Sequence, residues 1–154
     1  MSTRRPLVVC VCTGNTCRSP MAAALLRRAL DKRGRDDILV ESAGLAASAA
    51  APASAPALAA MAEIGLDISG HLSRPLTPEL AAAAARIVAM TDGHAAILTD
   101  RYAVPPERVT VPPGGIPDPF GGTLDHYRRT RDALAHAMDA LAGALCLEFA
   151  DPNL

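Results

Sequence analysis

The chain has 154 residues, a formal net charge of −1 and four cysteines. That length suits one compact domain, residues 1–154, and is too short for two typical ones, while the near-zero charge offers no field for nucleic acid or a membrane surface. No stretch approaches a membrane span, because Pro, Ser, Glu and Arg interrupt the alanine runs.

In chain order, Arg4 and Arg5 precede the apolar, β-branched Leu7–Val11, which is shorter than the core of about 7–15 residues that a secretory signal needs. Leu7–Cys12 therefore reads as a first, buried strand. Met21–Leu30 is rich in alanine and leucine and predicts a helix reaching about Lys32, with Ser19 as N-cap, Pro20 in its first turn and Gly34 as its stop. Ile38–Glu41 reads as a short second strand ending at Ser42-Ala43-Gly44. The Ala/Ser/Pro-rich Leu45–Ala57 reads as a loop, and Pro56 starts a helix that runs to Ile64 and stops at Gly65. Thr77 caps a further helix opened by Pro78-Glu79. Arg86–Met90 predicts a third strand, Asp92–Arg101 a helix, Arg108–Val111 a fourth strand and Leu124–Phe149 a long terminal helix. In that last helix Tyr127, Leu134, Met138, Leu141, Leu145 and Phe149 fall near helical spacing and predict a core face, with Cys146 packed among them. The alternation of strands and helices predicts an α/β fold: a central four-stranded parallel sheet with helices on both faces.

Chemistry concentrates in Cys12-Thr13-Gly14-Asn15-Thr16-Cys17-Arg18-Ser19-Pro20, between strand 1 and helix 1. A tight loop running into a helix N-terminus gathers backbone N–H groups around one anion. Cys12 at its base would be a thiolate, stabilised by those amides, the helix dipole and Arg18, and a thiolate beneath a bound phosphate is placed to attack phosphorus. The bland alternative makes Cys10, Cys12 and Cys17 small buried hydrophobes. A metal site would need a fourth ligand and a spacing such as C-x₂-C, which is absent. A loop folding its amides inward needs a residue in the left-handed region, which Gly14 and Asn15 tolerate best. His94, His126 and His136 fit no constellation and read as surface residues. A free thiol among four cysteines suits a reducing cytoplasm.

The nine-residue string resembles the phosphate loop of the low-molecular-weight protein tyrosine phosphatase family. Asp118-Pro119-Phe120 is similar to that family's late Asp-Pro-aromatic motif, Ser42-Ala43-Gly44 to the segment after its second strand, and His71 with Arg74 to its His-x-x-Arg. The match is tightest to the bacterial protein arginine phosphatase branch, through Thr16 and through Asp118-Pro119-Phe120-Gly121-Gly122. The resemblance implies Cys12 as nucleophile, Arg18 as phosphate clamp and Asp118 as general acid. It also implies that the loop from Thr13 to Ser19 binds phosphate, and that Ser42 and His71 hold Asn15. It implies no metal, no cofactor and phosphorylated proteins as partners. For His71 a solvent-facing turn histidine is the alternative.

Thr16 and Phe120 are the expected specificity positions. Tyrosine-specific relatives carry a bulky aliphatic residue in place of Thr16 and aromatic walls at the mouth. This chain has no Trp, and a hydroxyl suits a planar guanidinium better than a phenyl ring. The implied reaction is hydrolysis of phosphoarginine through a phosphocysteine, with phosphotyrosine second. Arsenate reductases share the loop but use two further mid-chain cysteines, absent between Cys17 and Cys146. A sugar-transport phosphocarrier would not need Asp118, and a pure phosphoprotein binder would not need Cys12, Arg18 and Asp118 together.

Overall fold

The computed structural model describes residues 5–150, so Arg4 of the basic pair lies outside the described residues. The first strand, β1 (Leu7–Cys12), becomes the interior of the sheet because both of its faces are apolar: Val8, Val9, Cys10 and Val11 are fully buried. On one side it pairs in parallel with β2 (Leu39–Gly44), Leu7 opposite Leu39 and Cys12 opposite Gly44. On the other it pairs in parallel with β3 (Arg86–Ala89), and β4 (Val109–Thr110) continues the sheet beyond β3. The strand order is β2-β1-β3-β4.

Side chains alternate across a strand, and β1 sends them into two cores. Val8, Cys10 and Cys12 meet α1 (Arg18–Lys32), α2 (Ala55–Ala62) and α5 (Leu124–Glu148). Val9 and Val11 face α3 (Pro78–Ala83) and α4 (Asp92–Tyr102). Tyr127, Leu134, Met138 and Leu145 of α5 are buried as its periodicity predicts; Leu141, Cys146 and Phe149 are partly buried against the same core. Both glycine stops operate as Schellman motifs. Gly34 (φ +70°) lets Arg35 N–H reach the Leu30 carbonyl, and Gly65 (φ +79°) lets Leu66 N–H reach that of Met61. Among the described residues no helix is long and apolar enough to cross a membrane.

Several boundaries differ from the sequence expectation. The helix α1 begins at Arg18 with Cys17 in the capping position and no side-chain cap, so Ser19 is not its N-cap; the Ser19 hydroxyl turns into the loop instead. The strand β2 runs through Ser42-Ala43-Gly44, because ladder pairing with β1 outweighs the weak strand preference of those residues. Within the stretch read as loop, Ser54 accepts from the Ala57 N–H and caps α2 at Ala55. The strands β3 and β4 are shorter than expected, α4 extends to Tyr102, and α5 stops at Glu148. His126 is exposed but belongs to a capping box with Thr123. His94 is not a surface residue: it is 7% exposed, and its location is part of the site.

All four strands end at one edge of the sheet. The chain steps from β1 to β2 on one side and later to β3 on the other, which opens a crevice at that edge, where ligands of open α/β sheets bind.

Candidate active site

The segment from Cys12 to Arg18 turns through that crevice with its carbonyl groups directed outward. Cys12 O accepts from Leu45 N–H, Thr13 O from Ala46 N–H, Thr16 O from Ser54 N–H and Cys17 O from Met21 N–H. Asn15 O meets His71 Nε2 at 2.7 Å. In a trans peptide the C=O and the following N–H point opposite ways. The amides of Thr13, Gly14, Thr16, Cys17 and Arg18 are thereby turned away from the scaffold and toward the hollow of the loop. A cavity of about 220 Å³ lies there, lined by Cys12, Thr13, Gly14, Thr16, Cys17, Arg18, Asp118 and Phe120. It joins an anion cradle to the N-terminus of α1.

Asn15 holds the cradle open. It is fully buried at φ +58°, whereas Gly14 does not take the left-handed conformation. The Asn15 amide donates to Ser19 Oγ at 2.7 Å and to Ser42 Oγ at 3.0 Å, and accepts the Arg74 N–H at 3.0 Å. Ser19 Oγ, already an acceptor for Asn15, has its own proton free for Cys12 Sγ at 3.0 Å. A thiolate receives that hydrogen bond well. Arg74 further braces this side, its Nε donating to the Ser42 carbonyl and its Nη2 pairing with Glu41. Gly44 passes so close beneath the loop that a Cβ there would sit 2.6 Å from Thr13 O and 3.1 Å from the Asn15 Cβ.

Burial separates the cysteines. Cys10 lies wholly in the sheet, and desolvation pushes its thiol up to about 12, so it stays protonated and inert. Cys12 is 3% exposed at the cavity floor. Cys17 turns its sulfur toward Tyr127 Oη at 3.4 Å and Ser54 Oγ at 3.5 Å. Burial and this thiol raise the Tyr127 hydroxyl above its ordinary value, so it remains a neutral hydrogen-bonding partner.

The charged pair sits at the mouth. Arg18 is buried; its Nη1 donates to the Ile116 carbonyl at 3.0 Å and its Nη2 lies 3.5 Å from Asp118 Oδ2. Asp118 takes the Phe120 N–H on its other oxygen at 3.0 Å, and half of its side chain reaches solvent. Phe120 stands 77% exposed at the rim. Thr16, half-buried, lines the same cavity. On the far side His94 Nε2 lies 2.9 Å from Thr13 Oγ1. Burial and then the Arg18 charge hold the His94 imidazole below its ordinary pKa. Every residue expected of the site thus gathers around one cavity or directly behind it. His94, Gly44, Ser54 and Tyr127 join them without having been expected there. A nucleophilic sulfur, an anion cradle, a buried guanidinium and a solvent-reaching carboxyl together can displace a group from phosphorus and protonate it as it leaves.

A family model described as low molecular weight phosphotyrosine protein phosphatase matches residues 7–150. Among curated relatives, a protein-arginine-phosphatase of Bacillus subtilis is 39% identical over 95 residues, 62% of this chain and 62% of its own length. A probable low molecular weight protein-tyrosine-phosphatase, EpsP of Ralstonia solanacearum, is 45% identical over 83 residues, 54% of each chain. The alignments thus span between about half and three fifths of these relatives. The solved structure of the YwlE arginine phosphatase from Geobacillus stearothermophilus superimposes with a TM-score of 0.84 at 36% identity, covering 93% of this chain and 94% of its own.

Proposed function

The chain belongs to the low molecular weight phosphotyrosine protein phosphatase family, and we propose that it hydrolyses phosphoarginine on proteins through a phosphocysteine intermediate. The observation that carries the reading is Thr16 in the wall of the phosphate cavity that an exposed Phe120 also lines. A guanidinium is planar and rich in N–H groups, and Thr16 offers it a hydroxyl acceptor while Phe120 offers it a flat face. The likeness to relatives described as arginine phosphatases supports it.

Cys12 Sγ attacks phosphorus as the P–N bond to the arginine side chain breaks, with the phosphoryl oxygens held by the loop amides and Arg18. Ser19 O–H lowers the charge that the sulfur must carry before attack and again when it leaves. The departing guanidine is strongly basic and leaves protonated, and Asp118 supplies that proton. The carboxylate then takes a proton from water, whose oxygen attacks the phosphocysteine. Inorganic phosphate leaves and the Cys12 thiolate is restored. Ser42, His71 and Arg74 serve by holding Asn15. Substrates are phosphorylated proteins, and a reducing cytoplasm is the setting in which Cys12 stays active.

Phosphotyrosine is the second reading, favoured by the exposed aromatic ring of Phe120 beside the acid. Two measurements decide between them. The kcat/KM on phosphoarginine and phosphotyrosine peptides of equal flanking sequence should favour phosphoarginine. Thr16→Ile, which places an apolar branch against buried guanidinium N–H groups, should lower the phosphoarginine value by roughly 5- to 150-fold and leave phosphotyrosine unchanged or raised. If both substrates fall together, Thr16 does not set specificity.

A further inference from the structure

The chemistry just described leaves the buried His94 without a task. Three residues into α4, it follows the C-terminal end of β3, next to β1 in the sheet. Its backbone N–H is fixed by Thr91 Oγ1 at 3.2 Å, and its Nε2 reaches Thr13 Oγ1 at 2.9 Å across 81 residues of sequence. The other ring nitrogen, Nδ1, is buried with no hydrogen-bond partner among the described residues. An unpartnered buried polar atom is destabilising, so packing supplies no reason for an imidazole here. The contact that distinguishes it from an apolar residue is the one to Thr13.

Thr13 is the loop residue most in need of such a tie. It is exposed at the cavity mouth, next to Cys12. The loop middle is held by Asn15 and its partners, and the Arg18 end is held by α1 itself. At the Cys12 end, Leu45 and Ala46 hold the carbonyls of residues 12 and 13 from the β2 side, and His94 grips the Thr13 side chain from beyond β3. The amides of Thr13 and Gly14 belong to the peptides so held. We propose that His94 is a positioning residue: through Thr13 it fixes the Cys12 end of the cradle, so that the Thr13 and Gly14 amides meet the phosphoryl oxygens. Its neutral form, favoured by burial and by Arg18 and opposed by Asp118, keeps a second cation away from the one that binds phosphate.

This proposal rests on the phosphatase reading, though not on the choice between phosphoarginine and phosphotyrosine. The test accordingly uses p-nitrophenyl phosphate, whose leaving group needs no proton, and inorganic phosphate as competitive inhibitor. His94→Leu should weaken phosphate inhibition and lower kcat/KM by about tenfold each, the size of one hydrogen bond lost from an organised anion site. His94→Gln, whose amide can donate or accept at the reach of Nε2, should stay within about threefold of wild type. Thr13→Val should reproduce the His94→Leu loss, and the double variant should be no worse than either single one. The proposal is overturned if His94→Gln is as impaired as His94→Leu, if the two losses multiply, or if phosphate inhibition is unchanged. Should His94→Leu fail to fold, a wild-type phosphate affinity in Thr13→Val overturns it alone. A wild-type protein that neither turns over p-nitrophenyl phosphate nor binds phosphate would instead remove the phosphatase reading.

Discussion

Asn15→Ala should be among the most damaging single changes to the stability of this chain. The substitution removes three hydrogen bonds made by the buried amide, to Ser19, to Ser42 and from the Arg74 N–H. At a net worth of about 1 kcal/mol each they total about 3 kcal/mol. Alanine must also hold φ near +58° without a side chain that bonds locally, which adds about 1–2 kcal/mol. The expected loss is about 4 kcal/mol, a large part of the 5–15 kcal/mol that holds a typical domain together, and corresponds to a Tm lower by about 10 °C. Asn15→Gly removes the same bonds but not the conformational freedom, so it should be less destabilised than Asn15→Ala by up to about 1 kcal/mol. Urea unfolding of the three proteins, with equal slopes, measures both quantities. A loss below about 1 kcal/mol for Asn15→Ala, or a glycine variant clearly weaker than the alanine one, would show that the Asn15 network does not hold the loop.

Asp118→Asn should slow turnover of phosphoarginine by roughly 10²–10⁴-fold, and of p-nitrophenyl phosphate far less, since only the former leaving group needs a proton; equal losses on both would take Asp118 out of the acid role. Gly44→Ala should cost both stability and phosphate affinity, because its Cβ would meet the Thr13 carbonyl at 2.6 Å and neither backbone can yield freely; unchanged phosphate inhibition would show that the approach is relaxed at no cost. Glu63 is held down to about 2 by hydrogen bonds from Arg128 and then Arg131, so its contribution to stability is present above about 4.5 and fades as pH falls from there toward 2. Glu63→Gln should therefore have a slightly lower Tm than wild type at pH 7 and a gap that closes across that range; a gap that widens on acidification would contradict the pairing.

What could be read from the sequence, and what could not, divides by the range of the contacts involved. The loop was legible because its nucleophile, its amides and its arginine lie within seven consecutive residues, and because a strand before it and a helix after it leave little choice of geometry. Ser19 was misread for a physical reason. At most helix starts a serine serves the free N–H groups, but here those groups face the anion cavity, and the hydroxyl is used between Asn15 and Cys12. Ser54 is the opposite case: Ser54-Ala55-Pro56 carries an ordinary cap-and-proline start, obscured by the Ala/Ser/Pro composition around it. His94 carried no local mark at all, since its partner is 81 residues away.

A rule of position would have found it. In a parallel sheet every strand delivers its next few residues to the same edge, whatever their type. Cys12 ends β1, Gly44 ends β2, His94 follows β3 by five residues, and Asp118 lies on the connection that leaves β4. Each of these four contacts the loop from Cys12 to Arg18, belongs to it, or would collide with it were its side chain any larger. Residue chemistry singled out Cys12, which attacks phosphorus in the proposed reaction, and the family resemblance singled out Asp118, which protonates the leaving group there. Position points to Gly44, whose missing side chain leaves room for the Thr13 carbonyl, and to His94, whose proposed work is to hold the Thr13 end of the cradle where that reaction needs it.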